Sequence, residues 1–154
     1  NKLPFLVIDD QIIPQSKAIE RYVAKQANMM GSNHIEEAQI DSICECIRDF
    51  KDAYQKVRKT DEDKKEEAMQ EWFSVTLKEK LELLEKIVNN KFSIGNKTSL
   101  ADIVIYSFIT QFFDNVDGAY NATETTPNIR SIIDNVASNE NIKTWLKDRP
   151  ETSF

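Results

Sequence analysis

The stretch GNKTSLADIVIYSFITQFF, residues 95–113, decides the fold of this chain. Gly95 marks a turn, and Ser99 and Asp102 have the spacing of a capping box, in which two side chains satisfy backbone N–H groups at a helix start. The residues from Leu100 onward are apolar on almost every side, which is typical of a helix buried all round. The run is also too short to span a bilayer. We therefore predict that this helix lies in the middle of a bundle and that Ser99 and Asp102 have structural roles.

Amphipathic helices are predicted on both sides of this segment. Apolar residues recur at steps of three and four through residues 40–57, which predicts one long helix. The charged segment 61–67 predicts the solvated start of a second long helix, whose apolar positions continue through residues 69–88. Two shorter helices are predicted at 127–136 and 142–146, the first with a proline in its opening turn. Most of the chain is therefore predicted to be helical.

The beginning of the chain follows a different pattern. Residues 4–8 are a short apolar run, Asp9 and Asp10 follow, and residues 11–13 are again mostly apolar. This order predicts a β-hairpin with an Asp-Asp turn. Ser16 then precedes apolar residues at helical spacing, so we predict a short helix with Ser16 as its N-cap.

The composition excludes several classes of protein. The chain has 154 residues, a formal net charge of −6 and only 3 Gly and 4 Pro, which favours long helices and few connections. An acidic chain without a basic block is a poor partner for nucleic acid or an anionic membrane. We recognise neither a signal peptide nor a membrane-spanning run, and we predict a cytoplasmic protein that binds no membrane. Two cysteines and one histidine cannot form a disulfide framework or a histidine-rich metal site.

Three sets of motifs in this chain resemble those of one known family. They are KLPFLVIDD with PQSKAIERY at residues 2–10 and 14–22, SLAD at 99–102, and NIKTWLKDRPET at 141–152. The first pair resembles the second half of the thioredoxin-like domain of cytosolic glutathione transferases, with the pattern of the sigma and alpha classes. SLAD resembles the start of the central helix in the family's second domain. The last motif resembles the C-terminal segment of the sigma class.

The resemblance implies a mainly α fold in two parts. Residues 1–28 are expected to form part of a thioredoxin-like domain, namely its β-hairpin and the helix that follows. Residues 32–154 are expected to form the all-α C-terminal helical domain of a glutathione transferase. The change between the two parts is expected in the breaker-rich region 27–34.

The resemblance also implies a glutathione-binding site near the beginning of the chain. In the family the bond before Pro4 is cis, and the backbone of Leu3 pairs with the cysteinyl part of glutathione; Lys2 is carried over as a contact to the same segment. Gln15 and Ser16 are expected to hold the γ-glutamyl carboxylate, which the N–H groups and dipole of a helix N-terminus favour. The residues alone leave two alternatives open. Pro4 can simply start an edge strand, and Ser16 can be an ordinary cap.

On the long helix, the resemblance implies that Asp49 meets the amino group of glutathione bound by a partner subunit, so that a homodimer is expected. The alternative is that Glu45, Arg48, Asp49 and Asp52 form a solvated ion-pair face. Some sigma-class members bind a divalent cation through three acidic residues on this face. Because Arg48 occupies one of those positions, we expect no metal here.

Two further positions on this helix concern the second substrate. Lys51 and Lys56 stand where prostaglandin-isomerising relatives have apolar or aromatic residues in the substrate pocket. A prostaglandin substrate is therefore not expected, and the electrophile is left open.

The implied activity is the transfer of a hydrophobic alkyl or aryl group to the thiol of glutathione, which is a co-substrate; no cofactor is expected. The family's thiol-activating Tyr, Ser or Cys lies in a strand-helix-strand segment that this chain lacks. No catalytic residue is therefore assigned, and we expect little turnover, weak glutathione binding and a weakened dimer. Two alternatives stay open: a non-catalytic dimerisation or ligand-binding scaffold of the same family, and an interaction module that shares the fold alone.

Overall fold

The computed structural model describes residues 3–150, which form one two-stranded antiparallel sheet and eight α-helices, with a π-helical segment between the third and fourth helices. The mainly α fold class predicted from the sequence is confirmed. The elements are β1 (Phe5–Ile8), β2 (Gln11–Pro14), α1 (Ser16–Gln26), α2 (His34–Arg58), α3 (Glu62–Glu71), the π-helical segment (Trp72–Thr76), α4 (Leu77–Glu85), α5 (Leu100–Gln111), α6 (Val116–Asn121), α7 (Pro127–Ala137) and α8 (Glu140–Asp148).

The predicted β-hairpin is present, with the turn at the predicted place. Asp9 and Asp10 have φ angles of 45° and 65°, and two consecutive positive φ angles suit the two-residue turns that match the twist of a hairpin. The strands pair antiparallel, with Phe5 opposite Pro14. Their register brings the residues just before β1 and just after β2 to the same end of the sheet.

The prediction that Ser16 is the N-cap of α1 is wrong. The cap is Gln15, whose carbonyl oxygen accepts the N–H groups of Ala18 and Ile19 at 3.0 and 3.1 Å. Gln15 has a φ of 75°, and this left-handed backbone turns the chain into the helix one residue sooner than expected. The Ser16 hydroxyl therefore lies in the first turn of α1 rather than at its cap.

The central position predicted for α5 is confirmed. This helix packs against α2 on one side and α7 on the other. Ile105, Phe108 and Ile109 on it have an exposed fraction of 0%. Such complete burial explains why its sequence has no polar face.

Six aromatic side chains pack together where α2, the π-helical segment and the end of α5 meet. At the middle is the Tyr54 ring, whose centroid lies 4.8 Å from that of Phe113 and 5.3 Å from that of Trp72. Several pairs in the group are edge-to-face, the arrangement that the ring quadrupoles favour. This aromatic cluster consists of Tyr54, Trp72, Phe73, Phe108, Phe112 and Phe113.

The second long helix differs from the prediction, because a π-helical segment divides it and it ends at Glu85 rather than at residue 88. Trp72 and Leu77 are both buried, although five residues separate them. In a regular α-helix a step of five turns the second side chain about 140° away from the first. The wider π turn brings both back to the core side.

Two features near the end of the chain were not predicted from the sequence: the helix α6 and the contact between α4 and the start of α7. The short helix α6 was not predicted; Asn115 caps it by accepting the Gly118 N–H at 2.8 Å. The helix α7 begins at Pro127 as predicted, and the Glu85 carboxylate on α4 accepts N–H groups of its first turn at 2.8 and 3.0 Å.

Among residues 3–150, no helix combines the length and the apolar character needed to cross a membrane.

The hairpin unit is joined to the helices by direct contacts. The Leu100 N–H at the start of α5 donates to the Met29 carbonyl oxygen at 2.9 Å. Ala24 and Met30 are buried in the same hydrophobic core as the central helix. The division into residues 1–28 and 32–154 stays a prediction.

The start of α5 is fixed by the buried carboxylate of Asp102, as the predicted capping box requires. One of its oxygens accepts the Ser99 N–H at 2.8 Å and the Ser99 hydroxyl at 2.5 Å. The other accepts the Ser93 N–H at 2.7 Å. The Ser93 hydroxyl donates to the carboxylate as well, at 3.2 Å. Both serines are buried, so four donors depend on one carboxylate that water does not reach.

We predict that Asp102→Ala lowers the free energy of unfolding by about 2–4 kcal/mol, since it leaves buried donors without an acceptor. Urea unfolding followed by circular dichroism measures this. The control, Asp134→Ala, removes an exposed carboxylate on α7 and should change stability by less than about 0.5 kcal/mol. Equal effects of the two substitutions would contradict the structural role of Asp102.

Candidate functional site

The hairpin brings together the residues that the sequence placed in a glutathione site. The Leu3-Pro4 peptide bond is cis, and Leu3 has an exposed fraction of 81%. Because Phe5 lies opposite Pro14, this bond stands next to Gln15 at the end of the sheet. Leu3, Pro4, Gln15 and Ser16 therefore adjoin one another, and the fifth predicted residue, Lys2, lies outside the described residues.

The N-terminus of α1 supplies hydrogen-bond donors at this point. The first N–H groups of any α-helix have no acceptor within the helix, and in α1 they belong to exposed or half-exposed residues from Ser16 onward. Gln15, also exposed, holds a φ of 75°, a conformation uncommon for residues other than glycine. Backbone strain of this kind is concentrated at functional sites. The arrangement can accept a carboxylate.

Arg21 anchors α1 to α2, and the sequence analysis did not single it out. Its Nε donates to Asp41 at 2.7 Å, and a terminal nitrogen donates to Glu45 at 2.6 Å. Another terminal nitrogen donates to the Lys17 carbonyl oxygen at 3.2 Å. Burial works against the guanidinium charge, but the hydrogen bonds to the two carboxylates outweigh it and raise the pKa of Arg21. Arg21 thus fixes the helix whose first turn faces the candidate ligand.

Asp49 lies exposed on α2, as does Asp52. Of the four charged residues on this face, Glu45 and Arg48 form an ion pair at 2.5 Å, which agrees with the ion-pair alternative for that part of the face. Among residues 3–150, no lysine or arginine lies within ion-pair distance of Asp49. Its contact with glutathione of a partner subunit stays a prediction.

The two lysines on α2 have different surroundings. Lys56 is exposed, whereas Lys51 is half-buried and its Nζ lies 5.0 Å from the centroid of the Phe112 ring. Burial, together with repulsion from Lys17 on α1, lowers the pKa of Lys51, and Glu20 opposes this only in part. Lys51 therefore belongs to the region between α1 and the aromatic cluster.

None of the four tyrosines, all of which are described, lies at the end of the hairpin. Tyr22 is on α1, Tyr106 on α5 and Tyr120 on α6. Tyr54 has an exposed fraction of 1%, and burial raises the pKa of its hydroxyl. In the described part of the chain, the candidate site thus offers hydrogen-bond donors at the start of α1 but no tyrosine beside them.

The buried Cys44 is not a reactive thiol. Cys44 and Cys46 on α2 are both free, and burial raises the pKa of the Cys44 thiol to about 12. A thiol with so high a pKa is almost wholly protonated at neutral pH and is a poor nucleophile. Cys44 therefore has a packing role.

A cavity of about 520 Å³ lies elsewhere, between α3, the π-helical segment and α6. Met69 and Phe73 form its apolar part, and Ser74, Lys78 and Asn115 are among its polar residues. It contains none of the residues that the sequence placed in the glutathione site. The candidate site is an open surface at the hairpin end, not this cavity.

The fold is that of glutathione transferases. A family model described as "Glutathione S-transferase, C-terminal domain" matches residues 48–149. The chain belongs to the glutathione S-transferase family.

Individual relatives agree with this assignment. The chain is 28% identical to Glutathione S-transferase 1 of Ascaris suum over 160 residues, which covers 99% of the chain and 76% of the relative. The structure of the present chain is similar to that of monomeric Na-GST-3, a glutathione S-transferase from the hookworm Necator americanus. That likeness has a TM-score of 0.83 at 26% identity and covers 99% of this chain and 77% of the other.

Other relatives have different names. Hematopoietic prostaglandin D synthase of Gallus gallus is 28% identical, with 99% of this chain and 75% of the relative covered. S-crystallin SL11 of Nototodarus sloanii is 26% identical, with 99% and 76% covered. Family membership alone therefore does not fix one activity.

We predict that Arg21→Met lowers the free energy of unfolding by about 1–2 kcal/mol, because Asp41 loses its ion-pair partner and Glu45 keeps only Arg48. Chemical unfolding followed by tryptophan fluorescence provides the measurement. The matched control is Lys25→Met, which breaks the other described ion pair between α1 and α2, Lys25–Glu37 at 2.6 Å. That lysine is 56% exposed, so its loss should cost less than about 1 kcal/mol. A control variant as unstable as Arg21→Met would contradict the anchoring role.

Proposed function

We propose that the protein binds reduced glutathione and transfers its thiolate to a hydrophobic electrophile. The observation that carries this proposal is the adjacency of the cis Leu3-Pro4 bond and the first turn of α1. Membership of the glutathione S-transferase family supports it. An exposed backbone edge beside a helix N-terminus suits an extended peptide that ends in a carboxylate.

In the proposed complex, the two ends of this surface bind different parts of the tripeptide. The backbone N–H and C=O of Leu3 pair with the cysteinyl unit in the manner of an added strand. The Ser16 hydroxyl and the free N–H groups of the first turn of α1 bind the γ-glutamyl carboxylate, which the helix dipole favours. Gln15 contributes to the same subsite. These groups bind and orient glutathione, and they leave its thiol facing away from α1.

The chemical step is a nucleophilic substitution. The thiol first loses its proton to water, since the thiolate is the reactive form and free thiols of this type titrate near 8.5. The sulfur then forms a bond to the electrophilic carbon, and the leaving group departs with its bonding electrons. The described residues hold the nucleophile in place, which raises its effective concentration beside the electrophile. No residue among 3–150 is assigned as the proton acceptor.

A second candidate function is a non-catalytic scaffold that binds a ligand or dimerises. Two observations favour it: a relative carries the name of a crystallin, and no tyrosine in the chain lies beside the candidate thiol position. The two functions share the glutathione-binding surface and differ in turnover. Glutathione-dependent consumption of 1-chloro-2,4-dinitrobenzene above the uncatalysed rate distinguishes them.

We also propose a cytoplasmic homodimer in which Asp49 contacts glutathione held by the partner subunit. The exposed position of Asp49 on α2 supports a contact outside its own chain. The structure of the hookworm relative is described as monomeric. The oligomeric state of this chain therefore has to be measured.

We predict that Ser16→Ala raises the KM for glutathione about tenfold and leaves kcat nearly unchanged. The hydroxyl contacts the carboxylate end, remote from the sulfur, so its contribution is equal in the ground state and the transition state. A lost hydrogen bond to a charged group has a magnitude of roughly 1.5–3 kcal/mol. Steady-state kinetics measures the KM, and calorimetric titration with glutathione gives the same comparison where turnover is absent.

The control for this prediction is Ser138→Ala. Ser138 is an exposed serine whose hydroxyl donates to Asn135 within its own turn, at 2.7 Å. It should leave glutathione affinity unchanged. An unaltered affinity in Ser16→Ala, with a native circular dichroism spectrum, would refute the assignment of Ser16.

For the assembly, we predict a weakened homodimer: in sedimentation velocity at micromolar concentration, residues 1–154 should be monomeric, and a chain extended with the first half of a thioredoxin-like domain should be dimeric. In that dimer, Asp49→Asn should weaken glutathione binding several-fold, because a charge-assisted bond to the ligand's amino group is lost. Asp52→Asn changes an exposed acid on the same helix and should have no effect. Sedimentation as a monomer in both cases, or equal effects of the two substitutions, would overturn the proposed role of Asp49.

A further inference from the structure

The ammonium group of Lys51 has no acidic partner in the structure. Its Nζ lies over the Phe112 ring, 5.0 Å from the centroid, in a half-buried position. The charged groups on α1 that act on it are those of Lys17 and Glu20. These two pair with each other at 2.8 Å. Within residues 3–150, no carboxylate lies within ion-pair distance of Lys51.

This arrangement is unfavourable for a cation by itself. A half-buried ammonium loses part of its hydration, and the nearby Lys17 repels it. The face of the Phe112 ring attracts the charge, but an aromatic ring is a weaker partner than a carboxylate. Long charged side chains are seldom buried without a partner of opposite charge. An anion bound beside Lys51 would supply that partner.

Lys51 lies close to the helix whose first turn forms part of the proposed glutathione site. Lys17 follows Ser16 in the first turn of α1, where the γ-glutamyl carboxylate is proposed to bind. On its other side, Phe112 belongs to the aromatic cluster and packs against Phe108 and Phe113, at centroid distances of 5.6 and 5.0 Å. Lys51 thus lies between the first turn of α1 and the half-buried ring of Phe112. An aromatic ring with an acidic substituent matches both.

We propose that Lys51 binds a carboxylate on the second substrate, so that the preferred electrophile is an aromatic carboxylic acid. This inference rests on the proposed glutathione transfer for its reaction, but the carboxylate contact itself is independent of turnover. In the reaction with a chlorinated acid, the thiolate sulfur forms the new bond to the ring carbon. The carbon–chlorine bond breaks, and chloride leaves with its electron pair. Lys51 keeps its proton throughout and acts in specificity.

The test compares 4-chloro-3,5-dinitrobenzoate with its methyl ester, which has the same ring without the charge. Lys51→Met should raise the KM for the acid about tenfold, the size expected for the loss of one charge-assisted hydrogen bond. The KM of the same variant for the ester should stay within about twofold of that of the unchanged protein. Lys51→Arg keeps the charge and should retain preference for the acid. Circular dichroism spectra establish that each variant is folded.

Two lysines provide matched controls. Lys80 on α4 also lies over a ring, with its Nζ 5.2 Å from the Phe50 centroid, and Lys59 is an exposed lysine at the C-cap of α2. Lys80→Met tests the loss of a lysine over an aromatic ring elsewhere, and Lys59→Met tests the loss of a charge at the end of α2. Both variants should keep the KM of the unchanged protein for the acid.

A binding measurement separates this inference from the proposed function. Calorimetric titration with the unreactive 3,5-dinitrobenzoate should show binding that Lys51→Met weakens about tenfold, whether or not the protein turns over. Such binding without glutathione-dependent turnover would support the role of Lys51 and refute the transferase proposal. Turnover of the ester, together with a KM for the acid that Lys51→Met does not change, would support the transferase proposal and refute the role of Lys51. No binding of 3,5-dinitrobenzoate at millimolar concentration, or equal weakening by Lys59→Met, would overturn the inference.

Discussion

The carboxylate of Asp102 is the constraint on which the rest of the structure depends. It is fully buried and holds the start of α5 through Ser93 and Ser99. Because α5 contacts α2 on one side and α7 on the other, the direction in which α5 leaves this point sets the position of both. The adjoining Leu100 N–H donates to the Met29 carbonyl oxygen, beyond the end of α1. The capping network therefore also fixes how the hairpin unit meets the bundle, and with it the candidate ligand surface.

The sequence predicted those elements whose pattern is local. The steps of three and four in residues 40–57 and the continuous apolar run in α5 each decide a helix without information from elsewhere. The π-helical segment was not predictable in this way, since the apolar residues at 73 and 77 have the spacing of a regular helix. Only the packing of Trp72 in the core selects the wider turn. The N-cap of α1 was misplaced because a positive φ at Gln15 has no signature in a residue with a side chain.

The candidate site was predicted as a list of residues, and the structure adds what connects them. Leu3 and Gln15 come together through strand register, which a two-residue turn determines. The contacts of Arg21 were beyond the sequence, because Asp41 and Glu45 lie 20 and 24 residues away and meet it only after α1 has packed on α2. The surroundings of Lys51 depend on the same packing.

The distribution of charge around this surface bears on the proposed binding of acidic ligands by an acidic protein. The net charge of −6 repels anions at long range. Close to the candidate site, the positive charges of Arg21 and Lys17 are each balanced by carboxylates on the same pair of helices. Two positive groups of the described structure near this surface have no carboxylate within ion-pair distance: the positive end of the α1 dipole and the ammonium of Lys51. Selection of an anion therefore rests on short-range, partly buried groups, which salt screens less than it screens the surface charges that oppose approach.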